Sequence, residues 1–204
     1  SDDFLDKVAS VLRLSDAERS LLYLYAVGRA PGCAHDLQYG ATISKALRDL
    51  VSVQPYPAYI SDPSWELICH NSALELWFPT LPGSGNIMRW VFLEAQARQQ
   101  LYRWKIDWAP PMLAQLRMAK ARAPEDQRLE SLLASILSVN SVAREIWSHG
   151  LLACSHPDGD IRRVMIHGQT EAIPIEIVAV SPLRAPDCRM VILYPLRVVQ
   201  PATG

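Results

Sequence analysis

Apolar residues Phe4, Leu5, Val8, Ala9 and Leu12 recur at helical spacing, and that pattern predicts a helix over residues 4–12. Ser15 followed by Glu18 is a capping box, and with Asp16 beside it a second helix is predicted over 16–27, ended by Gly28 and Pro31. Residues 29–37, rich in Gly, Pro and small side chains, read as a linker. A domain boundary is placed near Gly40, and an amphipathic helix is expected over 43–51. Gln54-Pro-Tyr-Pro breaks that helix, and residues 58–71 then read as two strands joined at Asp62-Pro63, a hairpin. Asn71 stands where a helical pattern begins, Ala73, Leu74, Leu76 and Trp77, and its side chain suits the N-cap position. Helices are expected over 86–102, from Met112 to a break at Pro124-Glu125-Asp126, over 126–139 and over 141–148. The last third changes period: 163–167, 172–180 and 189–196 are β-branched or apolar runs separated by turn residues, which predicts three strands in a meander.

A hairpin, a helical middle and a three-stranded meander make an α+β order, in which five strands can join into one antiparallel sheet with helices packed on one face. That is the plan of a PAS domain, here preceded by a short all-α segment. Two short helices over 4–27 cannot bury much apolar surface alone, so they must lean on another element. Internal repeats and low-complexity tracts are absent, which sets solenoid readings aside.

Composition narrows the partners. In 204 residues, half apolar, there is material for one sizeable core and an appendage. The 20 basic and 21 acidic side chains leave a net charge of -1, so the chain has no broad attraction for nucleic acid or anionic lipid. Cys33, Cys69, Cys154 and Cys188 form no CxxC pair and are read as reduced thiols of a cytoplasmic protein. Neither a signal core nor an apolar run of roughly 18 residues is present, so no membrane association is expected. The chain opens on Ser1-Asp2-Asp3 rather than on methionine, which is expected of a piece of a longer polypeptide.

His70, His149, His156 and His167 lie in different predicted elements without ligand spacing, and read as surface or capping groups rather than a metal site. The Gly-x-Ser-x-Gly elbow of a hydrolase is also missing. The expectation is therefore a protein with neither catalytic residues nor metal. The six tryptophans admit two readings, core filling and ligand wall. Alternation away from Glu66 and Glu176 puts Trp65, Leu67, Cys69, Ile173, Ile175 and Ile177 on the inner sheet face. Leu74, Trp90, Phe92, Leu93, Met112 and Leu116 are expected to face them from the helices. A ligand carboxylate would need a polar partner, because an unpaired buried charge is costly. Arg89 and Arg117 are the candidates, although each also reads as a solvated helix charge, the usual place of arginine. Asn71 is read as a helix cap, with ligand contact as the other reading.

Several of these segments resemble one family, the MmyB-like ligand-binding domain that follows XRE-type helix-turn-helix domains in bacterial regulators. Residues 4–19 look like the closing helices of the DNA-binding domain. The segment Pro57-Ala-Tyr-Ile-Ser-Asp-Pro-Ser-Trp-Glu-Leu-Ile-Cys-His-Asn-Ser-Ala is similar to the family's opening hairpin. Asn86-Ile-Met-Arg-Trp-Val-Phe-Leu and Glu145-Ile-Trp-Ser-His-Gly resemble its next helix and the end of its helical middle. Glu94-Ala95 and His167-Gly168 depart from the family's usual Asp-Pro and His-Pro. The resemblance implies three parts: 1–30, the last helices of an XRE-type domain whose DNA-reading part is absent; 31–54, a linker and helix; and 55–200, a PAS-like sensor. It implies a small apolar, fatty-acid-like ligand, no cofactor, DNA contacted only through the missing domain, and a homodimer, since DNA half-sites come in pairs. The rival readings are a dimerisation or protein-interaction module without a ligand, and a haem or flavin sensor, which a colourless preparation would dismiss.

Overall fold

The computed structural model of the chain describes residues 2–27, 43–149 and 158–196. The expected linker over 29–37, the boundary at Gly40, and Cys33, Cys154 and His156 lie outside the described residues. The chain divides into two compact units, 1–37 and 38–204.

The first unit contains α1 (Asp2–Val11) and α2 (Asp16–Val27). The capping box is present: the Ser15 backbone N–H donates to Glu18 Oε2 at 2.8 Å, and the Glu18 N–H donates back to Ser15 Oγ at 3.4 Å. Across the pair, Asp6 Oδ1 accepts from Arg19 Nη2 at 2.7 Å and from the Tyr23 hydroxyl at 2.6 Å. These donors hold the Asp6 carboxyl below the usual carboxylate range, the Tyr23 hydroxyl most of all.

The second unit begins with α3 (Lys45–Ser52), capped by Ser44 Oγ, which accepts from the Leu47 N–H at 3.2 Å. The hairpin β1 (Ala58–Ser61) and β2 (Leu67–His70) follows, then α4 (Ser72–Trp77), α5 (Leu81–Ser84), α6 (Ile87–Leu93), α7 (Ala95–Gln100) and a π-helical turn (Trp104–Trp108). That turn runs into α8 (Ala109–Arg122), and α9 (Gln127–Val139) and α10 (Ser141–Ser148) complete the helical layer. The meander β3 (Asp160–Met165), β4 (Ala172–Val180) and β5 (Arg189–Pro195) closes the domain. All five strands form one open antiparallel sheet in the order β2-β1-β5-β4-β3, an α+β architecture.

One face of this sheet, carrying Tyr59, Val164, Ile175, Ile177, Val191 and Leu193, packs against α4 to α10 in the main apolar core. The other face carries Ala58, Ile60, Met190 and Ile192. It packs against Leu47 and Val51 of α3, and against Ala185 and Cys188 of the β4–β5 loop, in a smaller core. The expectation of helices on one face therefore holds for the large layer, while α3, assigned to a connecting segment, covers part of the second face.

Three buried asparagines set helix starts, and each also ties its helix to a segment distant in sequence. Asn71 caps α4 by accepting from the Leu74 N–H at 3.0 Å, and its amide donates to the carbonyls of Gln54 and Tyr56. Asn86 caps α6 and donates to Ser64 O, and Asn140 caps α10 and donates to Phe92 O at 2.7 Å. That last bond bears on a difference from expectation. The single helix expected over 86–102 is two, because the Phe92 carbonyl is taken by Asn140 and by Arg98 Nη2 rather than by the next turn, and Glu94 is extended. The helix expected from Met112 starts three residues earlier, with its prolines in the first turn, where a missing N–H is harmless.

Two further differences come from the hairpin. Trp65 is not on a strand; it sits in the β1–β2 turn with φ +63, held by the Asp62 side chain, whose Oδ1 accepts from the Ser64 and Glu66 N–H groups. Within β2 the register slips: Ile60 lies opposite Cys69 and Ser61 opposite Leu67, so Ile68 is an extra, bulged residue. Alternation carried through a bulge reverses the face. Leu67 accordingly packs with the main core as expected, whereas Cys69 packs with the smaller one.

Candidate functional site

Between the sheet and the helical layer lies a cavity of about 80 Å³. By the same measure a single water needs about 10–15 Å³, so the space is a void several waters in size rather than a packing defect. The floor is the sheet: Tyr59 and Ser61 of β1, Ile177 of β4, Val191 and Leu193 of β5. The roof comes from Leu74 of α4, Ile87, Trp90 and Val91 of α6, Trp108 at the end of the π-helical turn, and Met112 and Gln115 of α8. Phe78, Leu81, Leu101 and Trp65 close the sides. Phe78 and Trp90 meet edge to face at 5.5 Å, an arrangement that stiffens the wall.

Two arginines interrupt this apolar lining. Arg189 opens β5 and shares its face with Val191 and Leu193; its guanidinium lies over the Trp65 ring at 4.3 Å. It has little else. Nη2 donates to Pro63 O at 3.4 Å, and Nη1 is buried without a hydrogen-bond partner. Burial pulls its pKa below the usual guanidinium range, and Tyr59 and Asp62 oppose that shift. Tyr59, on the neighbouring strand, has its hydroxyl pKa pushed up to about 12 by burial, against the pull of Arg189. Arg162 on β3 is more deeply buried than Arg189, and it is paired: Nη2 donates to Asp160 Oδ2 at 2.7 Å, and the guanidinium lies over the Trp108 ring at 4.9 Å. Arg162 thus has a carboxylate partner, whereas Arg189 stands at the wall with its buried Nη1 unpaired.

The sheet register separates these groups. Arg162 lies opposite Ile175 of β4, and Arg189 is one residue beyond Met190, which lies opposite Val180. At about 3.3 Å per residue their backbones are roughly 20 Å apart along the strands. The cavity is a slot with a basic group toward each end.

Of the residues singled out in the sequence, Trp65, Leu74, Trp90, Met112 and Ile177 line this slot. Phe92, Leu116 and Ile175 are fully buried in the core behind it, and Leu67, Leu93 and Ile173 pack against that core without lining the space. Asn71 is a helix cap, away from the lining. Neither arginine chosen as an anchor reaches the slot: Arg89 is exposed, and Arg117 stacks on Trp147 at 4.4 Å and donates to Trp147 O. Arg162 and Arg189 fall outside the expected site because arginine is ordinarily an outward residue. Each nevertheless had a signal, since Arg162 keeps step with Val164, and Arg189 with Val191 and Leu193, at the strand period of two.

The histidines are apart, His70 ending β2, His149 following α10 and His167 following β3. Among the described residues no group of three His, Cys, Asp or Glu side chains could hold a metal ion, and no helix is long and apolar enough to cross a membrane. Compared with known proteins, residues 43–197 match the family model of the MmyB-like transcription regulator ligand binding domain. No curated protein matches the chain.

Proposed function

The chain belongs to the MmyB-like transcription regulator ligand binding domain family, and from that premise we propose that the slot takes a fatty-acid-like molecule whose carboxylate pairs with Arg189. The observation that carries the reading is the combination of an apolar, aromatic-walled void with one guanidinium whose buried Nη1 lacks a partner. A carboxylate would supply the missing acceptor and the missing charge together, in a geometry guanidinium matches well. The family is one of regulator domains rather than enzymes.

On this reading the five-stranded domain is PAS-like, and 1–30 is the end of an XRE-type helix-turn-helix domain that precedes it in a cytoplasmic, homodimeric regulator. The ligand acts by binding unequally to two arrangements of the sensor, since equal affinity for both would move nothing. The rival, a dimerisation module without a ligand, draws on the uncovered part of the second sheet face. There Ile161, Glu176 and Tyr194 lie opposite one another across three strands, with Ile161 and Tyr194 exposed.

Organic extraction of the purified, denatured protein followed by mass spectrometry separates the two. A stoichiometric aliphatic acid in the extract, and stabilisation when fatty acids are added back, is the expected result. At a hundredfold excess over Kd the ligand contributes about 2.7 kcal/mol, or a rise in Tm of about 5–10 °C for a domain of this size. An empty extract with no shift across a fatty-acid panel overturns the sensor reading in favour of the interaction module.

A further inference from the structure

The end of the slot away from Arg189 carries a second unmet demand. Three indole rings of the helical layer differ in how their N–H groups are used. Trp90 Nε1 donates to Thr80 Oγ1 at 2.9 Å, and Trp104 Nε1 donates to Val91 O at 2.9 Å. Trp108 Nε1 is buried and has no partner, although its ring lines the slot. A buried donor left unpaired is a standing cost, and two such donors, Trp108 Nε1 and Arg189 Nη1, belong to residues toward opposite ends of one void. The neighbourhood of Trp108 differs electrically from that of Arg189. Arg162, stacked on Trp108, is already neutralised by Asp160 at 2.7 Å, so this end offers a neutral hydrogen-bond donor beside a completed ion pair. Gln115 of α8 also lines the slot and can both donate and accept. A second carboxylate would meet the Asp160 charge without a free cation to offset it; an uncharged oxygen would not.

We infer that the slot is built for an aliphatic carboxylate bearing a second, uncharged acceptor oxygen, a hydroxyl or keto group, at the end remote from the carboxylate, with Trp108 as the residue that reads it. This rests on the assignment of the carboxylate to Arg189. An apolar chain alone leaves Trp108 Nε1 unsatisfied, whereas the oxygenated chain pairs both orphaned donors. A site with unpaired buried donors discriminates strongly against the analogue lacking the acceptor, while added methylene groups change affinity only gradually.

The test is a titration of the whole chain with saturated fatty acids, their terminally hydroxylated counterparts of equal carbon number, and the corresponding dicarboxylic acids. At the best chain length the hydroxy acid is expected to bind at least tenfold more tightly than its saturated parent, and the dicarboxylic acid more weakly than the hydroxy acid. Trp108→Phe keeps a ring in place and removes the donor; it is expected to bring the hydroxy-to-parent ratio to about one while binding of the parent acid persists. Equal binding of hydroxy and parent acids by the wild-type chain overturns the inference and leaves the fatty-acid reading intact, and so does a tenfold preference that survives Trp108→Phe. If none of the three classes binds, the carboxylate reading itself fails and this inference falls with it. Should Trp108→Phe not fold, the wild-type ratio decides alone.

Discussion

The two faces of the sheet solve the same burial problem differently. On one, a single regular helix, α3, and a short loop press Val51, Ala185 and Cys188 onto Ala58, Ile60 and Met190. On the other, the cover is broken: α6 ends at Leu93, α7 ends at Gln100, and a π-helical turn precedes α8. The slot lies beneath those breaks, with Val91, Leu101, Trp108 and Met112 in its wall. Regular helices interlock side chains with a flat sheet efficiently, and interrupted ones leave gaps. Binding space in this domain is thus a product of where its helices stop. The same face holds the buried Arg162 and the half-buried Arg189, which a tightly packed apolar layer would have no room to hydrate or pair.

The largest expected effect tests the joint between the faces. Asn71 accepts from the Ala58 and Leu74 N–H groups and donates to two carbonyls on the α3–β1 connection. Asn71→Ala removes a cap worth about 1 kcal/mol and strands buried groups at about 1–3 kcal/mol. Chemical denaturation should show a loss of about 2–4 kcal/mol. A loss below 1 kcal/mol would mean that the two faces are held together elsewhere.

The same methyl deletion made on both faces addresses the packing contrast directly. Ile60→Val, in the closely covered face, should cost about 1 kcal/mol. Ile177→Val, whose side chain borders empty space, should cost clearly less, because the removed group had fewer neighbours to lose. Equal losses would refute the idea that only one face is loosely packed.

A smaller effect of opposite sign is expected at Arg189. Arg189→Met fills the same volume without an underpaired buried charge, and should raise the stability of the ligand-free protein by up to about 1 kcal/mol. The same variant should abolish stabilisation by fatty acids. A fall in stability would show that the cation is structural, held by its stacking on Trp65.

The smallest effect is in pH dependence, again on the slot side. Burial raises the Asp62 carboxyl above its ordinary value, in spite of the Glu66 N–H bond and the nearby Arg128. Its folded state therefore holds a proton more tightly than the unfolded chain. The protonated carboxyl contributes stability at acid pH that is lost as pH rises from the ordinary value of 3.8 through the raised one. Asp62→Asn, which keeps an oxygen for the Ser64 and Glu66 N–H groups, should flatten that slope in thermal melts taken across the acidic range. An unchanged slope would locate the titration in other carboxyls.

Much of this architecture is legible along the chain. The capping box at Ser15 and Glu18, the Asn71 cap and the period-two runs of the meander are local, and local chemistry placed them within a residue or two for β4 and β5. The misplacements share a cause. Nothing in Leu93-Glu94-Ala95 signals a helix end; the end exists because Asn140, 48 residues away, takes the Phe92 carbonyl. The bulge at Ile68 carries no glycine to announce it, and it moved Cys69 across the sheet. Arg162 and Arg189 are in step with apolar neighbours, but the general preference of arginine for water points the other way.

The family to which the domain belongs was visible as a resemblance of short motifs, and by itself the pattern of the sequence determined the α+β class, the hairpin and meander, and the capped starts of α2 and α4. These follow from side-chain period, turn residues and caps, all of which act within a few residues of chain. The tertiary structure alone decided that the helical cover is interrupted, that a slot lies beneath the interruptions, and that Arg189 and Trp108 stand toward its two ends with donors unpaired. A void and an unmet hydrogen bond are properties of groups that are distant in sequence and brought side by side, so no local pattern can encode them.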